Sequence, residues 1–268
     1  MKTPLRYPGG KSRAIKHILP LIPEDITELC SPFLGGGSVE LAVAERGTTV
    51  YNYDLFQPVV WFWQALLKDP VRLAETAESY RVGAKEYTSI VEAGAEWATA
   101  LKKCANAKTP CRAVTKRAKD KYCSNHQKLI DIDKGRILGI SKEDFHDIKK
   151  RVNNRTHVAT EDELFIAAAE YYLVNRTSFS GSTTSGGWSW KASWARLTPS
   201  TLENLRKFKV ENFHVEQGDF KDSISKHPDT FLYCDPPYML GKEYIPAHDD
   251  KDGNHVAGYW LNRETLYG

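Results

Sequence analysis

The stretch from Thr27 to Asp54 restricts the fold more than any other part of this chain. Thr27-Glu28-Leu29-Cys30 predicts a short strand, and Ser31-Pro32-Phe33-Leu34-Gly35-Gly36-Gly37-Ser38 follows it as a glycine-rich loop. Residues 39–46 read as a helix closed by Gly47, the residue that most easily ends one. Thr48-Thr49-Val50-Tyr51-Asn52-Tyr53 predicts a second strand, with Asp54 at its tip. A strand–loop–helix–strand unit of this kind belongs in a largely parallel sheet, because parallel neighbours need a helical crossover between them.

The glycines let backbone come close to a ligand, and the helix start behind them favours a negative group. Asp54 stands nineteen residues after Gly35, which suits hydrogen bonds from ribose hydroxyls to an acid ending the second strand. These residues fit NAD, FAD and S-adenosylmethionine alike. They do not fit a Walker loop, which needs Gly-Lys-Ser/Thr after its glycines.

A second motif is more specific. Asp235-Pro236-Pro237-Tyr238 follows the apolar run Thr230-Phe231-Leu232-Tyr233-Cys234, read as the final strand. Ligands of open α/β sheets bind at the carboxyl ends of the strands. Two successive prolines stiffen the loop and remove two donors, which leaves carbonyls free. A carboxylate and a rigid carbonyl can accept both protons of one exocyclic amino group, and Tyr238 offers a flat face to a planar base. The four residues describe a pocket for an amino group on an aromatic ring.

The remaining chain supports an α/β organisation. A helix is expected from Ser12, with Pro20 and Pro23 bracketing its end. Residues 69–204 read as mostly helical, with N-terminal signals at Ser141-x-x-Asp144 and Thr160-x-x-Glu163. A polar loop over residues 175–194 carries Trp188, Trp190 and Trp194, interleaved with Arg176, Lys191 and the following Arg196. Strand character returns at Phe213-His214-Val215-Glu216, followed by Gly218-Asp219-Phe220. His248, Asp249, Asp250 and Asp252 form a polar tail that reads as a loop. Residues 1–68 and 206–268 are therefore expected to form one split cofactor-binding domain, with 69–205 inserted between its halves.

Composition narrows the setting. Hydrophobic residues make up 41% of the 268 and charged residues 26%, enough apolar material for a sizeable core. The net charge of +3 hides an asymmetry: residues 101–160 hold 16 Lys and Arg against 6 Asp and Glu, the rest 21 against 28. One strongly basic segment on a mildly acidic body points to a polyanion met on one face. No apolar run is long enough to span a membrane, and residues 1–11 lack the apolar region of a secretory signal. Five cysteines, an odd number, fit a reducing cytoplasmic or nucleoid setting and no secretion. Cys104, Cys111, Cys123 and His126 match no common zinc spacing, and no metal site is expected.

Together these residues resemble the Dam-type DNA adenine-N6 methyltransferases, the alpha group of amino-methyltransferases. Tyr7-Pro8-Gly9-Gly10-Lys11 resembles the family's N-terminal cofactor motif, and Pro32 to Ser38 its Pro-Phe-x-Gly-x-Gly-Ser loop. Asp235 to Tyr238 matches its catalytic tetrapeptide. The resemblance implies a Rossmann-like sheet with a helical DNA-recognition insertion, and methyl transfer from S-adenosylmethionine to adenine in double-stranded DNA by a monomer. It implies cofactor contacts from Tyr7, Pro8, Gly9, Lys11, Phe33, Gly35, Gly37, Ser38, Asp54, Asp219, Phe220 and Asp235. Catalysis falls to Asp235, Pro236, Pro237 and Tyr238, on a base flipped out of the duplex. DNA contacts are implied for Asn175, Arg176, Ser180 and Gly181, with Ser180 standing where the family has Asn. Lys116, Arg117 and Lys119 in the basic run are the matching phosphate contacts. Thirty residues follow Tyr238 where the family adds three further strands, so a sheet incomplete at that end is expected.

Three other readings stay open on the residues alone. The same amino-group pocket suits RNA or cytosine N4, a catalytically silent DNA-binding relative needs no cofactor, and a nicotinamide oxidoreductase leaves Asp235 to Tyr238 unexplained.

Overall fold

The structure is a computed structural model that describes residues 2–80, 139–183, 185–189, 192–193 and 196–236, together with the paired strands between 240 and 264. It divides into two compact units, Met1–Tyr233 and Cys234–Gly268.

The first unit is built on Glu28–Ser31 (β1), Thr49–Asp54 (β2), Phe213–Gln217 (β3) and Phe231–Leu232 (β4). They form one sheet in the order β3-β2-β1-β4, and every pairing in it is parallel. The register sets Leu29 beside Val50, and Asp54 at the tip of β2 beside Gln217. All three long strands therefore end at one edge, where the glycine loop, Asp54 and Gly218 emerge. This is a Rossmann-like sheet, as the glycine-loop unit predicts.

Ser38–Ala44 (α1) crosses between β1 and β2, and Gln57–Lys68 (α2) follows β2. The second carries Trp61, Phe62 and Trp63, exposed by 4% or less. Side chains of this size contribute on the order of 1.5–3 kcal/mol each on full burial. Their partner is Glu161–Thr177 (α3), a helix buried nearly all round, where Tyr172 stacks on Phe62 at 5.7 Å. Its start is fixed by a capping box between Thr160 and Glu163, as the sequence signature requires. Ser141 likewise caps Lys142–Asn154 (α4), accepting from the Asp144 amide. Glu170 is buried on α3 and is paired with Arg151 and Arg155 of α4. It also accepts the Tyr80 hydroxyl, whose pKa burial and this carboxylate push up to about 12. The described residues between 139 and 205 thus share one core with the sheet.

Four expectations change. The N-terminal helix does not start at Ser12: a 3-10 turn covers Lys11–Arg13 and the helix begins at Ile15. The Ser12 hydroxyl pairs with that of Ser38 at 2.9 Å, and Ala14 stands at the helix start with no side-chain cap. Asn175, Arg176 and Thr177 are the last turn of α3, not loop, because the apolar face of that helix extends to Val174. The last strand of the first unit spans only Phe231–Leu232, since β1 offers it two paired positions. The polar tail is not all loop. In the second unit Leu240–Ile245 (β5) pairs antiparallel with Tyr259–Glu264 (β6). His248–Asp249 (β7) pairs with His255–Val256 (β8). Tyr, Trp and Ile around the acids supply the strand preference. Asp250 and Asp252 lie outside the described residues.

Candidate functional site

Asp54 stands at the centre of the strand-end edge. One carboxylate oxygen accepts the Gly35 amide and the other the Phe56 amide, each at 2.8 Å. Its backbone carbonyl accepts from Gly218 at 3.3 Å, so one residue ties the glycine loop to the segment after β3. Burial raises its pKa, against the two amides, which lower it. Each carboxylate oxygen has about two acceptor positions, so one on each remains for another donor.

The glycine loop is held from beneath and above. Beneath it, Trp63 donates its indole N–H to the Gly35 carbonyl at 3.2 Å. Gly37 sits at φ +66°, and a Cβ there would lie 2.7 Å from the Trp63 ring. Above it lies Tyr7. A Cβ on Gly35 would meet the Tyr7 ring at 2.8 Å, and one on Gly36 would meet its Cβ at 2.8 Å. Pro8 and Gly9 complete a turn closed from Gly10 N–H to the Tyr7 carbonyl at 2.9 Å. Lys11 donates to the Gly9 carbonyl.

A flat aromatic pair borders the loop. The rings of Phe33 and Phe220 stack at 5.7 Å between centroids, 27° apart. Asp219 caps the short helix Phe220–Lys226 by accepting from the Lys221 amide at 2.9 Å. Tyr7, Phe33, Gly35, Gly37, Ser38, Asp54, Asp219 and Phe220, far apart in sequence, therefore gather around one loop.

The residues expected at DNA have other partners within the chain. Asn175 is fully buried. Its Oδ1 accepts the Arg6 amide at 2.9 Å. Its Nδ2 donates to the Arg6 carbonyl at 2.6 Å and to Thr183 Oγ1 at 3.1 Å. Arg176 donates Nε to the Arg196 carbonyl and Nη1 to the Pro4 carbonyl. Gly181, at φ +75°, leaves room for Arg6, whose carbonyl would lie 2.9 Å from a Cβ there. Burial lowers the pKa of both Arg6 and Arg176, and Arg196 lowers each further. Among the described residues none of these three arginines forms a salt bridge. Ser180 lies in the 3-10 turn Phe179–Gly181. Lys116, Arg117 and Lys119 lie outside the described residues, as do Trp190, Lys191 and Trp194.

Asp235 and Pro236 open the second unit, Asp235 half-buried and Pro236 exposed; Pro237 and Tyr238 lie outside the described residues. Cys104, Cys111, Cys123 and His126 lie outside them too. Among the described residues no group of three His, Cys, Asp or Glu side chains is placed to hold a metal ion. No helix among them is long and apolar enough to cross a membrane.

Several participants carry no sequence signal of their own. Trp63 sits in an apolar run that reads only as core. Ser31 donates to the buried Glu40 beneath the loop at 2.8 Å, a pair of polar residues in an otherwise apolar pattern. Thr183 has no feature that distinguishes it from the other hydroxyls of its loop.

The parallel sheet thus brings a glycine loop, an acid and an aromatic pair together at its strand ends. The family model for D12 class N6 adenine-specific DNA methyltransferases matches residues 7–254. The chain belongs to that family, and is by that membership an adenine-specific DNA methyltransferase with DNA as its substrate. No curated protein matches it.

Proposed function

We propose that the chain uses S-adenosylmethionine as its methyl donor and methylates adenine N6 on a base turned out of double-stranded DNA. The observation that carries the first half is Asp54, whose carboxylate and carbonyl join the glycine loop and the Gly218 segment while one acceptor position per oxygen stays open. The residues fit such a group. A ribose can donate to the open positions of Asp54, an adenine can lie against the Phe33–Phe220 pair, and the glycine loop lets backbone approach it. S-adenosylmethionine supplies, when bound, a methyl group already activated on a sulfonium.

The chain's own work is then positioning and charge. Asp235 and the Pro236 carbonyl accept the two amino protons of the target base. That favours a tetrahedral nitrogen with an available lone pair and stabilises the positive charge that develops on it. Tyr238 stacks on the extruded ring. Cys234 is not needed as a nucleophile, and burial holds its thiol above the ordinary range. The inserted residues 69–205 bind DNA, with Lys116, Arg117 and Lys119 on phosphates. Arg176, beside Arg6 and Arg196, adds positive charge that no described carboxylate neutralises.

Incubating the chain with methyl-tritiated S-adenosylmethionine and mixed-sequence duplex DNA, followed by nucleoside analysis, tests the proposal. Label in N6-methyl-2′-deoxyadenosine is the expected result. Label in cytosine, or transfer to RNA in preference to DNA, contradicts it.

A further inference from the structure

Asn175 lies on the end of a 17-residue helix, yet its side chain serves a segment 169 residues away. It grips both the amide and the carbonyl of Arg6, as a strand neighbour would. A third bond, to Thr183, and full burial add to the hold on its side chain. The next residue, Arg176, holds the Pro4 carbonyl, and Gly181 gives Arg6 its space. Residues 4 and 6 are thus fastened to one helix end. Tyr7 follows directly, and it lies so close to Gly35 and Gly36 that a Cβ on either would stand 2.8 Å from it.

We propose that Asn175 is a positioning residue for the cofactor site: by fixing Arg6 it sets Tyr7 against the glycine loop. The inference rests on the reading of that loop as the S-adenosylmethionine site. It gives the Asn175–Arg176 pair a task distinct from touching DNA, and it makes the helix end a mechanical link between the DNA-facing insertion and the cofactor loop. Loss of the clasp loosens Arg6 and with it the seat of Tyr7, so the cost appears first in cofactor affinity.

The test is a double-mutant cycle with Tyr7→Ala, read by calorimetric binding of S-adenosylmethionine and by steady-state kinetics. Asn175→Ala should weaken cofactor binding about tenfold, the scale of one or two lost hydrogen bonds. KM for the cofactor should rise in step, by a larger factor than kcat falls. In the Tyr7→Ala background, Asn175→Ala should have no further effect. Equal losses in both backgrounds overturn the inference, as does a fall in kcat at unchanged KM, the mark of a merely destabilised fold. Asn175→Asp keeps the acceptor for the Arg6 amide but turns an oxygen towards the Arg6 carbonyl; it carries the same cycle where Asn175→Ala does not fold. Wild-type protein that binds no S-adenosylmethionine overturns the underlying reading. Wild type that binds, with Asn175→Ala binding equally well, overturns this inference alone.

Discussion

The Gly35 amide donates to the Asp54 carboxylate at 2.8 Å, so the acid at the tip of the second strand holds the loop that leaves the first. Truncation of this side chain leaves two amides, of Gly35 and Phe56, without their acceptor. Asp54→Ala should weaken S-adenosylmethionine binding by about 1–3 kcal/mol, the cost of leaving buried polar partners unpaired. Isothermal calorimetry on folded protein checks this, and unchanged affinity removes Asp54 from the site.

The same carboxylate gives the site a pH dependence. Burial raises the Asp54 pKa in the folded chain, so its proton returns at a pH above the ordinary aspartate value of about 4. Below that raised value an acceptor becomes a donor, and ribose hydroxyls lose a partner. Cofactor affinity should therefore fall on acidification before ordinary carboxylates titrate. The contribution of this group to fold stability has the opposite sign: it is fully present below the unfolded pKa and is lost as pH rises through the folded one. Asp54→Asn should flatten the affinity profile, measured by binding titrations between neutral pH and the acid limit of folding.

Catalysis should separate the members of the tetrapeptide. Asp235→Ala should abolish methyl transfer, and Asp235→Asn should be nearly as damaging, because an amide presents a donor and no full charge. Tyr238→Phe should be mild and Tyr238→Ala severe, since stacking needs the ring. Tritium transfer to DNA, with circular dichroism as the control for folding, gives the ordering. Full activity in Asp235→Ala defeats the mechanism.

DNA affinity should fall steeply with salt, with a log–log slope of about −0.9 per neutralised phosphate. Charge reversal at Lys116, Arg117 and Lys119 should make that slope shallower. Fluorescence anisotropy at several salt concentrations reads it, and a slope indifferent to the three changes returns the basic run to an ordinary solvated surface.

Gly37 offers a test of the loop's foundation. Gly37→Ala adds a methyl 2.7 Å from the fully buried Trp63 ring, at φ +66°. Overpacking of this kind costs about 1–3 kcal/mol, read as a lowered urea midpoint. Gly187→Ala, which meets nothing within 4 Å, should leave the midpoint nearly unchanged.

Local signals carried the sheet and the segments that meet at its strand ends. The three long strands, the glycine loop, Asp54 and the capping box at Thr160 each depend on neighbours a few residues away, and each lies within a residue of where its sequence pattern puts it. Ser12 misled because a good capping residue also makes a good hydroxyl partner, and Ser38 claimed it. The roles of Asn175 and Trp63 were invisible for a different reason. Their partners are 169 and 28 residues distant, and no periodicity records a bond between a helix end and a remote backbone. The strands of the second unit were hidden by their acidic residues, which outweighed the aromatic ones beside them.

The sheet order has a consequence for how the protein is made. β2 lies between β1 and β3, but its second neighbour is synthesised some 160 residues after it. At translation rates of about 5–20 residues per second, that interval is roughly ten to thirty seconds. During it the nascent chain presents an unpaired strand edge, together, until Glu161–Thr177 is made, with the Trp61-Phe62-Trp63 face. Such surfaces are what holdase chaperones bind and what drives neighbouring chains on a polysome to stick. The parallel arrangement that brings every strand end to one edge therefore leaves one side of β2 without its neighbour until β3 leaves the ribosome.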